Sequence, residues 1–174
     1  FVKGQSHSSA LLIGGWESAR KIPKKWSDKV HLFPGNGISS EELSRYIPST
    51  EYGNEFNVLT AGSLIRIKGF SLAVRAFQIF AEKNPSSMLT IAGDGPEGPR
   101  LKRLIRLHNL EDKVKLLGTI PRDDLLSRMD ASDVLLFPSL RDGGGAVVIE
   151  AMAAARPVVC LDVGGPGFYV ADGC

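Results

Sequence analysis

The sequence predicts a parallel α/β fold, with helices layered on a mainly parallel sheet. From Asn57 onward, short apolar runs alternate with amphipathic stretches, the pattern that strand–helix–strand units require. Two of these runs, Val134 to Phe137 and Val158 to Leu161, have the length and branched content of strands buried on both faces. Between them lies an apolar helix headed by Asp142 and the consecutive glycines Gly143, Gly144 and Gly145.

Taken in order, Phe1 to Lys29 is polar at its start, then carries Leu11-Leu12-Ile13, Gly14-Gly15 and a basic run with Pro23. It reads as a separate segment, 1–29, a tail from a preceding domain or a linker, with 30–174 as the domain proper. His7, alone among serines, reads as a surface residue. Val30 to Phe33 is a short strand ended by the turn cluster Pro34-Gly35-Asn36-Gly37. Ser40-Glu41-Glu42 starts a brief helix, and 48–54 is a loop.

The regular series opens with a strand over Val58 to Ala61. Phe70, Ala73, Val74, Phe77, Phe80 and Ala81 then recur at helical spacing and stop at Asn84-Pro85. Met88 to Ala92 is the next strand, and Leu101, Leu104, Ile105 and His108 stripe the following helix, leaving Arg100, Lys102, Arg103 and Arg106 outside. Val114 to Leu117 is a strand, followed by a helix near Asp123 to Asp130 that uses Leu125, Leu126 and Met129. Ligands of such open sheets sit outside the carboxyl ends of the strands. Attention therefore falls on the loops 62–69, 93–98, 138–145 and 162–167.

With 174 residues, 43% hydrophobic and 23% charged, the chain can build a real core. A formal charge of +2 supplies no global field for nucleic acid. The basic clusters Arg20 to Lys25 and Arg100 to Arg106 read as solvated faces, with contact to an anionic membrane surface as the alternative. Two cysteines, Cys160 and Cys174, give no disulfide framework and fit a reducing, cytoplasmic setting. No apolar run approaches the length that crosses a bilayer. The absence of an initiator Met and the Asp-Gly-Cys ending lead us to expect an excised domain, truncated at its C-terminus.

Gly93-Asp94-Gly95-Pro96-Glu97-Gly98 matches the dinucleotide-binding pattern G-x-G-x-x-G, with Glu111 and Asp112 downstream. Asp94 and Glu97, however, would put negative charge beside a pyrophosphate. A tight turn capped by Asp94, with Pro96 in the first helical turn, is the preferred reading, and a nicotinamide or flavin oxidoreductase the rival. In 62–69, Arg66 and Lys68 stand where a strand end and a helix start would present cations to an anionic ligand.

Asp142 can cap its glycine loop or reach a ligand. Glu150 lies in a helix apolar nearly all round, so it should be buried and in need of a partner; a ribose diol offers two donors. A glycine-rich helix start between two carboxylates suggests a sugar nucleotide.

The segments 62–69, 93–96, 131–134, 138–139, 142–152, 156–159 and 164–165 together resemble, in this order, retaining glycosyltransferases of family 4, which have the GT-B fold. The resemblance covers 30–173 and implies the Rossmann-like, three-layer, C-terminal half of a two-domain enzyme. It further implies that Glu150 holds the ribose, Asp142 contacts donor sugar hydroxyls and Lys68 binds the diphosphate, these being the residues expected to carry the transfer. The binding set it implies is Gly62, Ser63, Arg66 and Lys68; Gly93 and Gly95; Pro138; and Asp142, Gly143, Gly144, Gly145, Ala146, Val147 and Glu150.

The expected donor is a UDP-, GDP- or similar nucleotide sugar, with no cofactor. No cluster of His and carboxylates suggests a metal, and GT-B enzymes do not require one. The acceptor, saccharide or lipid-linked, is expected on the chain's own N-terminal domain, so this fragment alone should not turn over. Asp142 replaces the family's usual Glu, Gly144 its Phe and Ser63 its diphosphate-binding Arg, while Phe168 stands near a usual acid. These departures imply an altered donor pocket and leave a non-catalytic nucleotide-sugar binder or regulatory module as the alternative.

Overall fold

The computed structural model describes residues 9–13, 19–20, 22–32, 37–44, 53–163, 166 and 170. Expectations for His7, 33–36, 48–52, Gly164, Gly165, Phe168 and Cys174 lie outside the described residues.

Strands β1 (Leu11–Ile13) and β2 (Val30–Leu32) pair in parallel as a two-stranded sheet. A short helix, α1 (Ser40–Leu43), follows. The main unit alternates β3 (Phe56–Ala61), α2 (Phe70–Lys83), β4 (Ser87–Ala92), α3 (Gly98–Leu107), β5 (Val114–Gly118), α4 (Arg122–Asp130), β6 (Val134–Phe137), α5 (Ala146–Ala153) and β7 (Val158–Cys160). Its sheet runs β5-β4-β3-β6-β7, all parallel.

Alternation along β3 shows how the layers form. Val58 joins a core with Phe70, Val74, Phe77, Leu89, Ile91, Leu101 and Ile105, which seats α2 and α3. Its neighbour Leu59 points the other way, into a core with Met129, Leu135, Phe137, Val148 and Ala151, which seats α4 and α5. The result is a three-layer, Rossmann-like α/β domain whose central strand is buried on both sides.

Three sequence expectations need correction. β7 is not buried on both faces: among the described residues it stands at one edge of the sheet, Val159 is 56% exposed, and with Leu136, Phe56 and Phe80 it lines an apolar groove of about 240 Å³. α5 is apolar nearly all round yet only half buried, because it packs one side on the sheet through Val148 and Ala151 and leaves Met152 46% exposed. The proline in the first turn of α3 is Pro99; Pro96 precedes Glu97, the residue that starts the helix.

Candidate functional site

Because β4, β3 and β6 are adjacent and parallel, the loops after them lie side by side at the carboxyl edge of the sheet. Backbone hydrogen bonds join them. Gly62 N–H donates to the Ala92 carbonyl (2.9 Å), Leu64 to Asp94 (2.9 Å), Glu97 to Leu64 (2.8 Å), Gly93 to Gly118 (2.8 Å) and Leu140 to Ile67 (2.9 Å).

This close approach explains the glycines of 93–98. Gly93 has φ +140°, and a Cβ there would lie 1.9 Å from the Gly62 carbonyl oxygen. At Gly95 a Cβ would come within 2.7 Å of the Leu64 oxygen. The dinucleotide-like pattern therefore serves loop-to-loop packing, with Asp94 Oδ1 accepting from the Gly95 N–H (2.7 Å) as the turn reading expected.

Lys68 ends a 3-10 turn, Arg66–Lys68, and Gly69 (φ +70°) then starts α2 against Pro138, whose carbonyl oxygen lies 2.1 Å from where a Gly69 Cβ would stand. That contact brings the β3 and β6 loops together. Lys68 Nζ donates to Asp142 Oδ2 in an ion pair, with the two side chains 26% and 14% exposed.

The other Asp142 oxygen, Oδ1, accepts from the amides of Gly144 (3.1 Å) and Gly145 (2.9 Å). Burial would raise the Asp142 carboxyl, but Lys68 and the Gly145 and Gly144 amides outweigh it and hold it below its ordinary 3.8. Gly145 sits left-handed (φ +55°) before α5, so the Ala146 and Val147 amides head the helix with no intrahelical acceptor. The cradle predicted for an external anion thus already holds an internal one.

Glu150, on the second turn of α5, is 13% exposed. Its Oε1 accepts from Nε (3.2 Å) and Nη2 (3.0 Å) of Arg122, the first residue of α4. Arg122 was not among the sequence-predicted residues. Its signal was available: β5 is parallel like the others, so the loop 118–122 at its carboxyl end belongs to the same edge.

The remaining predicted residues divide. Gly62, Ser63, Gly143 and Ala146 are exposed along this edge, while Pro138, Gly144 and Gly145 are buried beneath it. Arg66 does not join Lys68; it lines a neighbouring cavity of about 400 Å³ with Ile65, Ile67, Leu140, Glu97 and Arg100. Among the described residues no set of His, Cys, Asp or Glu could hold a metal ion, and no helix is long and apolar enough to cross a membrane.

A sheet edge with a lysine, a helix N-terminus and a carboxylate has the groups to bind a phosphate and a hydroxyl-bearing ring side by side. The family model of Glycosyl transferases group 1 matches residues 46–174. The chain is similar to alpha-D-kanosaminyltransferase of Streptomyces kanamyceticus, 30% identical over 116 residues, 67% of this chain and 30% of the relative. The phosphatidylinositol N-acetylglucosaminyltransferase gpi3 subunit of Schizosaccharomyces pombe is 28% identical over 118 residues, covering 68% and 26%.

Among solved structures, HepE of Anabaena in complex with UDP superposes with a TM-score of 0.78 at 22% identity, covering 98% of this chain and 49% of that one. The pneumococcal O-GlcNAc transferase GtfA in complex with UDP and GlcNAc gives 0.79 at 21%, covering 98% and 33%. These neighbours are GT-B glycosyltransferases. The chain spans 38%, 30% and 27% of three curated relatives it matches, roughly a third of their length.

Proposed function

The chain belongs to the family Glycosyl transferases group 1, and on that premise we propose that it is the donor-binding half of a retaining, family-4 glycosyltransferase that moves a hexose from a nucleoside diphosphate sugar to an acceptor. The observation that supports this best is the convergence of Lys68, the N-terminus of α5 and Glu150 on one edge of the parallel sheet. A departing diphosphate needs fixed positive potential, which Lys68 and the leading amides of α5 supply without a metal. The sugar left behind passes through an oxocarbenium-like state. Glu150 would hold the ribose, and Asp142 would meet the sugar once the donor takes over its partners.

Residues 1–29 and 30–174 would then be a segment from an acceptor domain or linker and the nucleotide-sugar domain. The saccharide or lipid-linked acceptor would sit on the N-terminal partner domain, so the fragment alone would not turn over. A cytoplasmic setting, with peripheral membrane contact where the acceptor is lipid-linked, belongs to the same reading.

One observation favours a second reading. Asp142 satisfies both the Gly144 and Gly145 amides and Lys68, as a closed site in a non-catalytic binder or regulatory module would.

Calorimetric titration with UDP, GDP, their sugars and NAD tests these readings. Binding of one nucleoside diphosphate and its sugar is expected. Tight NAD binding with no response to any nucleoside diphosphate would overturn the proposal. Donor binding without turnover in the full-length protein would select the second reading.

A further inference from the structure

We infer that Arg122 is a positioning residue for Glu150, fixing which carboxylate oxygen faces the ligand; this rests on the donor-site reading above. Two of the Arg122 donors, Nε and Nη2, close on the same oxygen, Oε1, at 3.2 and 3.0 Å. Oε2 accepts no hydrogen bond among the described residues, and a carboxylate oxygen with both lone pairs open can take two hydroxyl donors. A two-point guanidinium grip also stops the terminal torsion of a glutamate, which is otherwise broad.

The placement of Arg122 argues for this role. It is the first residue of α4, where the helix dipole disfavours a cation and suits the Asp123 and Asp124 that follow. The helix dipole therefore does not account for an arginine at this position. Instead, α4 and α5 share one core on the same face of the sheet and both begin at its carboxyl edge, so Arg122 spans 28 positions of sequence to reach Glu150. The acid is 13% exposed and the arginine 50%, so the arginine closes the pair from the solvent side.

The test compares UDP and GDP with their 2′,3′-dideoxy counterparts, by calorimetry on the wild-type chain and on Arg122→Gln, Arg122→Lys and Glu150→Gln, with circular dichroism to confirm that each folds. The wild type is expected to favour the hydroxylated nucleotide about tenfold or more, the scale of a charged hydrogen bond. Arg122→Gln should reduce that preference toward the Glu150→Gln value while leaving affinity for the dideoxy nucleotide unchanged. Arg122→Lys, which keeps charge but loses the fork, should restore part of it.

Equal loss for both nucleotides would mean that the guanidinium acts on the diphosphate directly and would overturn the inference; an unchanged preference in Arg122→Gln would do so too. A wild-type chain that binds the nucleotides without preferring the ribose hydroxyls overturns the role of Glu150 and the inference together. A wild-type chain that binds none of these nucleotides overturns the donor-site reading itself.

Discussion

Lys68 and Asp142, 74 positions apart, form an ion pair across the β3 and β6 loops, and the same carboxylate caps the Gly144 and Gly145 amides. One side chain thus holds the lysine and the Gly144 and Gly145 amides, beside the leading amides of α5 that the donor-site reading gives to a diphosphate. On the donor-site reading, an incoming phosphate would displace Asp142 or share its partners.

Asp142→Asn is therefore expected to tighten binding of a bare nucleoside diphosphate several-fold, because a competing negative charge is gone. Lys68→Ala and Glu150→Ala should each weaken it by about 1–3 kcal/mol, the scale of a lost charged hydrogen bond. Calorimetry with UDP and GDP reads all of these. Weaker binding in Asp142→Asn would show that the carboxylate does not compete.

Stability should depend on pH through the same group. The Asp142 carboxyl lies below 3.8 in the fold, so the unfolded chain binds its proton more readily. Its contribution is complete above 3.8 and is lost as pH falls through the lower folded value. Thermal melts of wild type and Asp142→Asn should differ most near neutrality and converge in acid. A constant difference across that range would contradict the assignment.

Asp130 should behave with opposite sign. Burial raises its carboxyl above 3.8, and Arg156 offsets this only in part. Its Oδ1 is buried with no hydrogen-bond partner among the described residues. The folded chain binds the proton more tightly, so stability is lost as pH rises through the folded value. Asp130→Asn is expected to raise the melting temperature at pH 7, with the gain vanishing below 3.8. Arg156 is 7% exposed and donates to the Ser132 and Ala154 carbonyls, so Arg156→Ala should cost about 3 kcal/mol by denaturant titration.

Gly93→Ala is expected to destabilise by at least about 3 kcal/mol, since it combines an unfavourable φ with a clash against the Gly62 carbonyl. Gly143→Ala, with nothing within 4 Å of its added Cβ, should leave folding nearly unchanged. Equilibrium unfolding of the pair separates a packing role for Gly93 from a general intolerance of the loops.

Much of this architecture is legible from residue spacing. The stripe Phe70, Ala73, Val74, Phe77 and Ala81 is the buried face of α2, and Val134 to Phe137 is β6 to the residue. What spacing cannot carry is lateral order: nothing local to Val158 to Cys160 says that β7 is an edge, so the exposure of Val159 was not foreseen. Both features of the candidate site that were missed are also non-local. Asp142 could be read as a cap or a ligand contact, and only the fold brings Lys68 onto it. Arg122 has no local signal of its partner, which lies on a different helix, although its place after a parallel strand marks it. The glycines of 93–98 were visible, but their reason, the backbone of residues 62–64, was not.

That backbone contact has a consequence for how the edge can respond to a ligand. Residues 62–64 and 93–97 are bonded main chain to main chain, with no side chain between them that could change rotamer, so they form a stiff platform. Adaptation is left to side chains standing on it. On the donor-site reading, a ligand arriving there would meet a base whose ordering cost was met during folding, and would reorganise a lysine, an aspartate and an arginine–glutamate pair.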